Sequence, residues 1–381
     1  MIETYSENEI AYIIQKKESS DLTWAEITQA YNKKFQKDKN FESIKKCYQR
    51  NKNYFATDDN HVRTLKTVHR TKRDDLLETI ENTVKSISLN KYKIPTYIKK
   101  SKAKKNMTLE ALISDVHYGK YIDNIEGNFV DIGVIRERIC KVAESIVKEI
   151  RRESKSFNVE RLILAMIGDM IENADFHGKE STKGCEFSTS RQVQEAITSL
   201  FYDLILPVAM TGIQVDIPCV TGNHDRIDKD KTYVKPGEDN LTYIIYKTLE
   251  LLSKQSGLKN VKFDIVTGLY THTEVYGNVI VWEHGDELKN INRDTMVNKM
   301  NRRQAQVGKV VHFYRVGHFH EPVSYGQGRM MVNGSVPGQD DYAESKGFWS
   351  EPLQLLNYYV ETKKRNTCFF RSFPIYLQKK S

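Results

Sequence analysis

The chain has 381 residues, 39% of them apolar, which is long enough for one large domain with a real core and a smaller domain beside it. No run approaches the roughly 18 apolar residues that span a bilayer, and the first residues lack the basic start and apolar block of a signal peptide, which predicts a cytoplasmic protein without a membrane partner. The cysteines are odd in number, widely spaced and without a C-x-x-C pair, which excludes a disulfide or zinc framework: Cys47, Cys140, Cys185, Cys219 and Cys368.

The net charge of +8 is concentrated at one end of the sequence. Residues 1–106 carry 23 Lys and Arg against 14 Asp and Glu, whereas the remainder is close to neutral. A local basic excess predicts a polyanionic partner. We expect nucleic acid rather than a membrane surface, because no strongly amphipathic helix with a Trp/Leu face accompanies the charge.

Residues 1–55 predict a small module of three helices. Two helices begin with capping boxes, in which a hydroxyl and a Glu three residues later satisfy each other's backbone donors: Ser6 with Glu9, and Thr23 with Glu26. The second helix carries apolar residues spaced three or four apart, which form one stripe: Trp24, Ile27, Tyr31 and Phe35.

A third helix is predicted at about residues 41–55, with Ile44, Cys47 and Tyr48 facing inward. The pattern Trp24…Tyr31…Ile44…Cys47-Tyr48-Gln49-Arg50 resembles a helix-turn-helix module of the Myb/SANT type. The resemblance implies that the last helix enters the major groove of DNA, with these candidate contacts: Lys45, Lys46, Gln49 and Arg50. The alternative is a three-helix protein-interaction or dimerisation module whose charged face is merely solvated.

Residues 56–106 are polar and predict a basic linker with one helix at about residues 74–87. The run from Lys99 to Lys105 is typical of a flexible connector. The alternative is a set of extra phosphate contacts that raise affinity without sequence preference.

From Met107 apolar strands alternate with helices, which predicts an α/β domain over residues 107–381. Five predicted strands, at about 108–114, 161–167, 215–220, 278–282 and 310–316, are each followed by Asp, Asn or His, at the edge where α/β proteins usually bind ligands. The five strand ends read Asp115-Val116-His117, Gly168-Asp169, Gly222-Asn223-His224-Asp225, His284-Gly285 and Gly317-His318-Phe319-His320.

A single Asp or His at a strand end is usually an ordinary hydrogen-bonded residue, but five such ends in succession predict a metal site. In the first and last, two side chains two residues apart face the same way and can share an ion. The whole set supplies mixed nitrogen and oxygen donors that suit Mn, Fe or Zn better than Mg or Ca: Asp115, His117, Asp169, Asn223, His284, His318 and His320.

The ordered series D-x-H, G-D, G-N-H-D, H-G and G-H-x-H resembles the calcineurin-like metallophosphoesterase superfamily over residues 108–335. The resemblance implies a four-layer α/β/β/α sandwich of two mixed sheets flanked by helices. It also implies two divalent ions, Mn²⁺ before Fe²⁺, Zn²⁺ or Mg²⁺, with Asp115, His117 and His320 on one, Asn223, His284 and His318 on the other, and Asp169 between them. His224 would be the acid beside the leaving group, and Asp225 would orient it.

One motif departs from the pattern of this superfamily. Many members read G-D-x-x-D after the second strand, whereas this chain reads Gly168-Asp169-Met170-Ile171-Glu172-Asn173. Glu172 is therefore expected to replace the supporting carboxylate, which affects the support of the ligands more than their number.

The implied chemistry is hydrolysis of a phosphomonoester or phosphodiester, since two cations about 3.5–4 Å apart activate water and neutralise the phosphoryl oxygens. The basic N-terminal region favours DNA. The polar loop 178–191 with Gln192-Val193-Gln194-Glu195-Ala196 resembles the DNA-repair exonuclease branch, and similar chains occur in phages. The prediction is a metal-dependent DNA nuclease in a bacterial or phage-infected cell. Alternatives are a phosphatase or cyclic-nucleotide phosphodiesterase and, less favoured, a non-catalytic DNA-binding regulator.

The C-terminal residues predict a Gly/Asp/Ser-rich loop up to about Gly347, followed by the aromatic pair Phe348-Trp349. The aromatics are expected to be packing residues, with contact to the substrate as the alternative. A last strand at about 367–377 is expected to complete a sheet. The family resemblance makes a homodimer plausible and leaves open whether an ATPase partner is needed.

Overall fold

The computed structural model describes residues 5–18, 20, 22–51, 57–58, 61–62, 92–95, 105–125, 127–175, 184–228, 234–347, 349–362 and 368–378. It divides into two compact units, Met1–Asp75 and Leu76–Ser381. The division falls inside the predicted linker 56–106, and the helix predicted at 74–87 lies outside the described residues.

The first unit contains three helices, α1 (Glu7–Glu18), α2 (Trp24–Phe35) and α3 (Phe41–Asn51), and a two-residue pair of strands, β1 (Thr57–Asp58) with β2 (His61–Val62). Both capping boxes are confirmed, since Ser6 N donates to Glu9 Oε2 at 2.7 Å and Thr23 N donates to Glu26 Oε2 at 2.8 Å. The third helix ends at Asn51, earlier than predicted. The core of the first unit is small and apolar, and it contains Ile13, Ile27, Tyr31, Ile44 and Cys47.

The turn between α2 and α3 is fixed by side chains. Gln36 adopts a left-handed conformation (φ 52°) that ends α2. The Asn32 amide donates to Lys39 O at 2.8 Å and accepts from Lys39 N at 2.9 Å. Asn40 Oδ1 then accepts from Ser43 N at 2.8 Å and caps α3. The orientation of α3 on α2 is therefore set by specific hydrogen bonds, and its Lys45, Lys46 and Gln49 are exposed; the Arg50 side chain lies outside the described residues.

Acid should loosen the three-helix module through the buried residue Glu9. Burial opposes its charge, but Lys37 (2.7 Å), the Ser6 N–H and the Tyr31 hydroxyl outweigh burial and lower the pKa of Glu9 to about 2 from 4.5. A carboxylate whose pKa is depressed by folding stabilises the fold above its unfolded pKa, so this stabilisation is lost as pH falls from about 4.5 toward 2. We expect amide-exchange protection of residues 7–51 to fall over that window. Glu9→Gln should flatten the dependence on pH, and an equally steep loss in that variant would contradict the assignment to Glu9.

The second unit is built on two mixed sheets. The six-stranded sheet has the order β15-β14-β3-β6-β7-β8, and the five-stranded sheet has the order β12-β13-β11-β10-β9. The strands of the first are β3 (Asn106–Ile113), β6 (Asn158–Ile167), β7 (Gln214–Val220), β8 (Val261–Ile265), β14 (Leu353–Val360) and β15 (Phe369–Tyr376). The strands of the second are β9 (Tyr270–Val275), β10 (Asn278–Glu283), β11 (Val311–Val316), β12 (Val323–Tyr325) and β13 (Met330–Val332). The last strand completes the first sheet as predicted.

Helices and a hairpin connect these strands. They are β4 (Ile122–Ile125) with β5 (Asn128–Val130), α4 (Ile132–Glu153), α5 (Thr189–Ser199), a π-helical stretch Leu200–Ile205, α6 (Leu206–Ala209), α7 (Leu241–Gln255), α8 (Arg293–Val307) and α9 (Asp341–Lys346). Among the helices that the structure describes, none is both long and apolar enough to cross a membrane. All five cysteines are free, as the sequence predicted.

Three apolar layers separate four layers of secondary structure, which confirms the predicted sandwich. The first layer packs α4, α5 and α7 against the outer face of the six-stranded sheet. The second lies between the sheets, where Ile163 and Ile167 of β6 share a cluster with Ile280 and Trp282 of β10. The third packs Met296 of α8 against the outer face of the five-stranded sheet. Helices α4, α5 and α7, the two sheets and α8 thus form the order α/β/β/α.

A buried charged cluster crosses the space between the two sheets. The Glu110 carboxylate of β3 accepts from Trp282 Nε1 (2.7 Å) and Arg315 Nε (3.1 Å) of the five-stranded sheet. It also accepts from Asn357 Nδ2 (2.8 Å) and Tyr359 OH (2.7 Å) of β14. All five side chains are fully buried. Each donor reaches the same carboxylate, so Glu110 ties the two sheets together at one point.

Candidate metal centre

The predicted ligands meet because their strands end at one edge of the sandwich. Strands β3, β6 and β7 are parallel neighbours in one sheet, and β10 and β11 are parallel neighbours in the other. Their carboxyl ends therefore lie together, and each is followed by a turn that carries Asp, Asn or His. The turns after β3 and β6 are joined directly, since His117 N donates to Asp169 O at 3.1 Å.

The first group of ligand atoms belongs to Asp115, His117 and His320, and these atoms all lie within 4.8 Å of one another. His117 Nε2 is 3.1 Å from His320 Nε2, and His320 Nε2 is 3.5 Å from Asp115 Oδ1. Asp115 and His117 are buried, and His320 is partly buried. The backbone N–H of His318 donates to both oxygens of Asp115, at 3.0 and 3.1 Å, which fixes the carboxylate against the turn after β11.

The second group belongs to Asp169, His284 and His318, whose ligand atoms also lie within 4.8 Å of one another. His284 Nε2 lies 3.0 Å from Asp169 Oδ2 and 3.0 Å from Asn223 Oδ1. The other ring nitrogen, His284 Nδ1, lies 2.9 Å from Ile167 O, so this carbonyl sets the orientation of the imidazole. The structure thus brings all seven predicted ligand residues to one edge, in two adjacent groups.

The backbone is strained where these ligands sit. Five of the seven predicted ligands have a left-handed conformation, with φ between 51° and 69°: Asp115, His117, Asp169, His318 and His320. Non-glycine residues rarely adopt this conformation, and such strain concentrates at functional sites. The turns therefore hold these residues in strained backbone conformations that direct their side chains toward the candidate site.

Two glycines permit close approach behind the carboxylates. A Cβ atom on Gly222 would lie 2.0 Å from Asp169 Oδ1, and one on Gly317 would lie 2.5 Å from Asp115 Oδ2. Both distances are far below a van der Waals contact, so only glycine fits between each turn and the neighbouring carboxylate.

The two groups fit divalent cations. In each, imidazole nitrogens and carboxylate oxygens face one another across 3.0–3.5 Å, a separation that one shared cation at about 2.1 Å from each atom can satisfy. The buried His117 Nδ1 and Glu172 Oε2 lie 2.8 Å apart, so the Glu172 carboxylate contacts the ring nitrogen of His117 that does not face His320. The donors, nitrogen with oxygen, suit Mn, Fe or Zn. Asp115, His117 and His320 would bind one ion, and Asp169, Asn223, His284 and His318 the other.

The imidazoles of the site differ in the direction in which burial and neighbouring charges shift their pKa. Burial lowers the pKa of His117, and burial together with the charge of His284 lowers the pKa of His318 to about 4. Burial also opposes charge on His284 and His320, but Asp169 raises the pKa of His284 to about 10 and Asp115 raises that of His320. An imidazole binds metal in its neutral form. A cation bound at the site would therefore displace the proton held between His284 and Asp169 and between His320 and Asp115.

The His224 side chain lies against His117 of the first group, edge to face, with ring centroids 4.7 Å apart. The backbone N–H of His224 donates to Asp169 Oδ1 at 2.9 Å, and its Nδ1 lies 3.0 Å from Glu172 O. A carbonyl oxygen only accepts, so Nδ1 bears the hydrogen and Nε2 is the atom that can exchange a proton with a substrate. The side chain is 18% exposed, which leaves it in reach of a ligand.

The role expected for Asp225 needs correction. Its buried carboxylate accepts from three backbone N–H groups, of Asp169 (2.8 Å), Gly222 (3.1 Å) and Ile171 (3.1 Å). Burial and the charge of Asp169 raise the pKa of Asp225 to about 6. The carboxylate thus fixes the two turns that present Asp169 and His224, rather than orienting the His224 ring, whose Nδ1 faces Glu172 O.

Glu172 supports the centre as the sequence suggested, and it brings two residues that the motifs did not reveal. Its Oε2 faces His117, and its Oε1 accepts from Lys120 Nζ at 3.0 Å. Lys120 Nζ also lies 3.0 Å from Asp340 Oδ2, the N-cap of α9. Burial opposes the charge of Lys120, but the carboxylates of Glu172 and Asp340 raise the pKa of its ammonium. Only the proximity of Lys120 to the D-x-H motif could have drawn attention to it.

Comparison with known proteins finds structural matches at low identity and low TM-score. No protein-family model and no curated protein matches the chain. An archaeal phosphodiesterase is 13% identical, with a TM-score of 0.32, and the match covers 70% of this chain and 99% of that one. A conserved Streptococcus pneumoniae TIGR4 protein with a phosphoesterase assignment is 13% identical (TM-score 0.27; 70% and 97% covered). Zn²⁺-bound Vps29 of Entamoeba histolytica is 9% identical (TM-score 0.26; 71% and 99% covered). Similarity at this level assigns no activity, so any activity must be inferred from the side chains of this site.

Proposed function

We propose that the chain is a divalent-metal-dependent phosphodiesterase that hydrolyses DNA. The observation that carries the proposal is the pair of adjacent ligand groups at one sheet edge, with His224 attached to the second group through its bond to Asp169. When bound, divalent ions would supply Lewis acidity toward the non-bridging phosphoryl oxygens and lower the pKa of water.

The residues of the chain have separate tasks in this reaction. His224 Nε2 would donate a proton to the departing oxygen, because Glu172 O fixes the opposite nitrogen of the ring. Asp225 fixes the turns of Asp169 and His224 through their backbone. Glu172 supports the His117 imidazole at 2.8 Å, and Lys120 holds the other oxygen of the Glu172 carboxylate at 3.0 Å.

Charge supports DNA as the substrate. Residues 1–106 carry the basic excess of the chain, and the exposed side of α3 presents Lys45, Lys46 and Gln49. Because these basic side chains can contact DNA phosphates, we propose that the three-helix module delivers DNA to the phosphodiesterase. Binding through phosphate contacts is expected to weaken steeply as the salt concentration rises.

The test is incubation with Mn²⁺ and, in parallel, linear duplex, single-stranded and circular DNA. We expect degradation by the wild type, lowered about 10²–10⁴-fold in His224→Ala, since proton transfer by a positioned side chain contributes that much. The exposed His272 provides the matched control, and His272→Ala should cleave as the wild type does. Cutting of the circle would show endonuclease action.

Two other outcomes would replace the proposal. Intact DNA together with hydrolysis of a small phosphomonoester or cyclic nucleotide would make the chain a phosphatase or cyclic-nucleotide phosphodiesterase. DNA binding without hydrolysis of any phosphoester would make it a non-catalytic regulator.

A further inference from the structure

Three large aromatic side chains are exposed near the metal centre: Tyr121 (39% exposed), Phe129 (46%) and Trp349 (62%). We call them the aromatic rim. The rings of Tyr121 and Phe129 lie edge to face, with centroids 6.0 Å apart. Trp349 belongs to the loop whose aromatics were expected to pack, and for this residue the expectation was wrong. Contiguous exposed aromatic surface, such as that of Tyr121 with Phe129, marks sites at which proteins bind ligands.

All three residues border one short segment, residues 337–340, because each follows or precedes a residue that bonds to it. Lys120, before Tyr121, pairs with Asp340 at 3.0 Å. Asn128, before Phe129, donates through Nδ2 to Pro337 O at 2.9 Å. Ser350, after Trp349, donates through its backbone N to Gln339 Oε1 at 2.8 Å. Adjacent Cα atoms are only about 3.8 Å apart, so the rim residues flank this segment.

The same contacts connect the rim to the first ligand group. Ser350 Oγ donates to His320 O at 3.0 Å. Lys120 reaches Glu172 Oε1 at 3.0 Å, and Glu172 Oε2 is 2.8 Å from His117 Nδ1. The exposed rings are therefore anchored one residue away from groups that fix the ligands.

We infer that the aromatic rim stacks the unpaired bases of a polynucleotide strand whose phosphodiester lies at the metal centre, an inference that rests on the proposed function. Flat exposed rings bind bases through their π-faces without sequence preference, as in proteins that bind single strands. Bases inside a duplex already stack on one another, so the rim selects single-stranded DNA or frayed ends. A small phosphoester without a base gains nothing from these rings.

The test measures binding by the full chain carrying His224→Ala, so that the probe is not cut. Two fluorescein-labelled probes, each about 16 nucleotides long, are compared: oligothymidylate and an abasic strand with the same phosphates. We expect tighter binding of oligothymidylate. Adding Trp349→Ala should weaken it about 5- to 150-fold, the range that loss of one stacked base gives, and leave the abasic strand unchanged. Trp349→Phe keeps a ring and should lose less, and Phe129→Ala should act in the same direction as Trp349→Ala.

Equal affinity of the unsubstituted rim for both probes, or rim variants that bind oligothymidylate as before, would overturn the inference. A change of oligomeric state in the rim variants, with oligothymidylate binding intact, would also overturn it, since the rim would then be a contact between copies. The proposed function is judged separately, from cleavage of the abasic strand with Mn²⁺ by protein that retains His224. If proteins with an intact and with a substituted rim cleaved DNA at equal rates and showed no preference for bases, the stacking role of the rim would be rejected and the phosphodiesterase proposal would stand. Base-dependent binding without cleavage would reject the phosphodiesterase alone.

Discussion

Asp169→Asn should lower phosphodiester hydrolysis by about 10³–10⁴-fold and weaken binding of divalent metal. Asp169 Oδ2 lies 3.0 Å from His284 Nε2, and Asp169 Oδ1 accepts from His224 N, so one carboxylate holds both the second ligand group and the proposed acid. Asparagine keeps the shape but loses the charge. Metal chemistry contributes several kcal/mol to transition-state stabilisation, and each 1.36 kcal/mol is a factor of ten in rate.

Calorimetric titration with Mn²⁺ checks this prediction independently of turnover. The exposed Asp294 on α8 supplies the matched control, and Asp294→Asn should bind metal and hydrolyse as the wild type does. If Asp169→Asn bound Mn²⁺ with unchanged affinity and kept activity within tenfold, Asp169 would not be a ligand.

The second large effect is on stability. Glu110→Ala should reduce the free energy of unfolding by about 3–5 kcal/mol, because it leaves the fully buried Arg315 without its carboxylate and strands the donors of Trp282, Asn357 and Tyr359. Glu110→Gln keeps acceptor oxygen and should cost less. The pair of substitutions Glu110→Leu with Arg315→Met removes both charges and should be milder than either single change.

Urea unfolding measures this cost. Glu144→Ala, on the exposed side of α4, is the reference and should change stability by less than about 0.5 kcal/mol. A Glu110→Ala protein within about 1 kcal/mol of the wild type would show that the cluster is not a junction between the sheets.

The grouping of the candidate ligands could be predicted because its signal is local. Each ligand directly follows an apolar strand, and the carboxyl ends of parallel strands share an edge, so the pattern around Asp115, Asp169 and Asn223 suffices without knowledge of the packing. The alternation of strands and helices predicts only an α/β domain, whereas the order of four layers was implied by the family resemblance.

Contacts between distant segments could not be predicted in this way. Glu110 sits inside an apolar strand, and its donors are 172 to 249 residues away, a distance that periodicity does not encode. The same holds for Lys120 with Asp340 and for the carboxylate of Asp225, whose partners are backbone groups that no side-chain pattern identifies. The exposure of Trp349 depends on how its loop is fastened by Ser350, and an aromatic residue in a sequence is typical of a core.

The pairing of β3 with β14 has a consequence for synthesis of the protein. The strand that carries Asp115 is completed on one side by β6 but on the other by residues 353–360, and Ser114 N bonds to Gln354, 240 residues later. A chain emerging from the ribosome can therefore form the three-helix module early, whereas the central sheet waits until almost the whole polypeptide has been made. Through that interval the segment that leads into Asp115 lacks its hydrogen bond from Ser114 N to Gln354. Premature termination anywhere before β14 would thus yield the helical module attached to an unfinished sheet with an open edge, a target for proteolysis or aggregation.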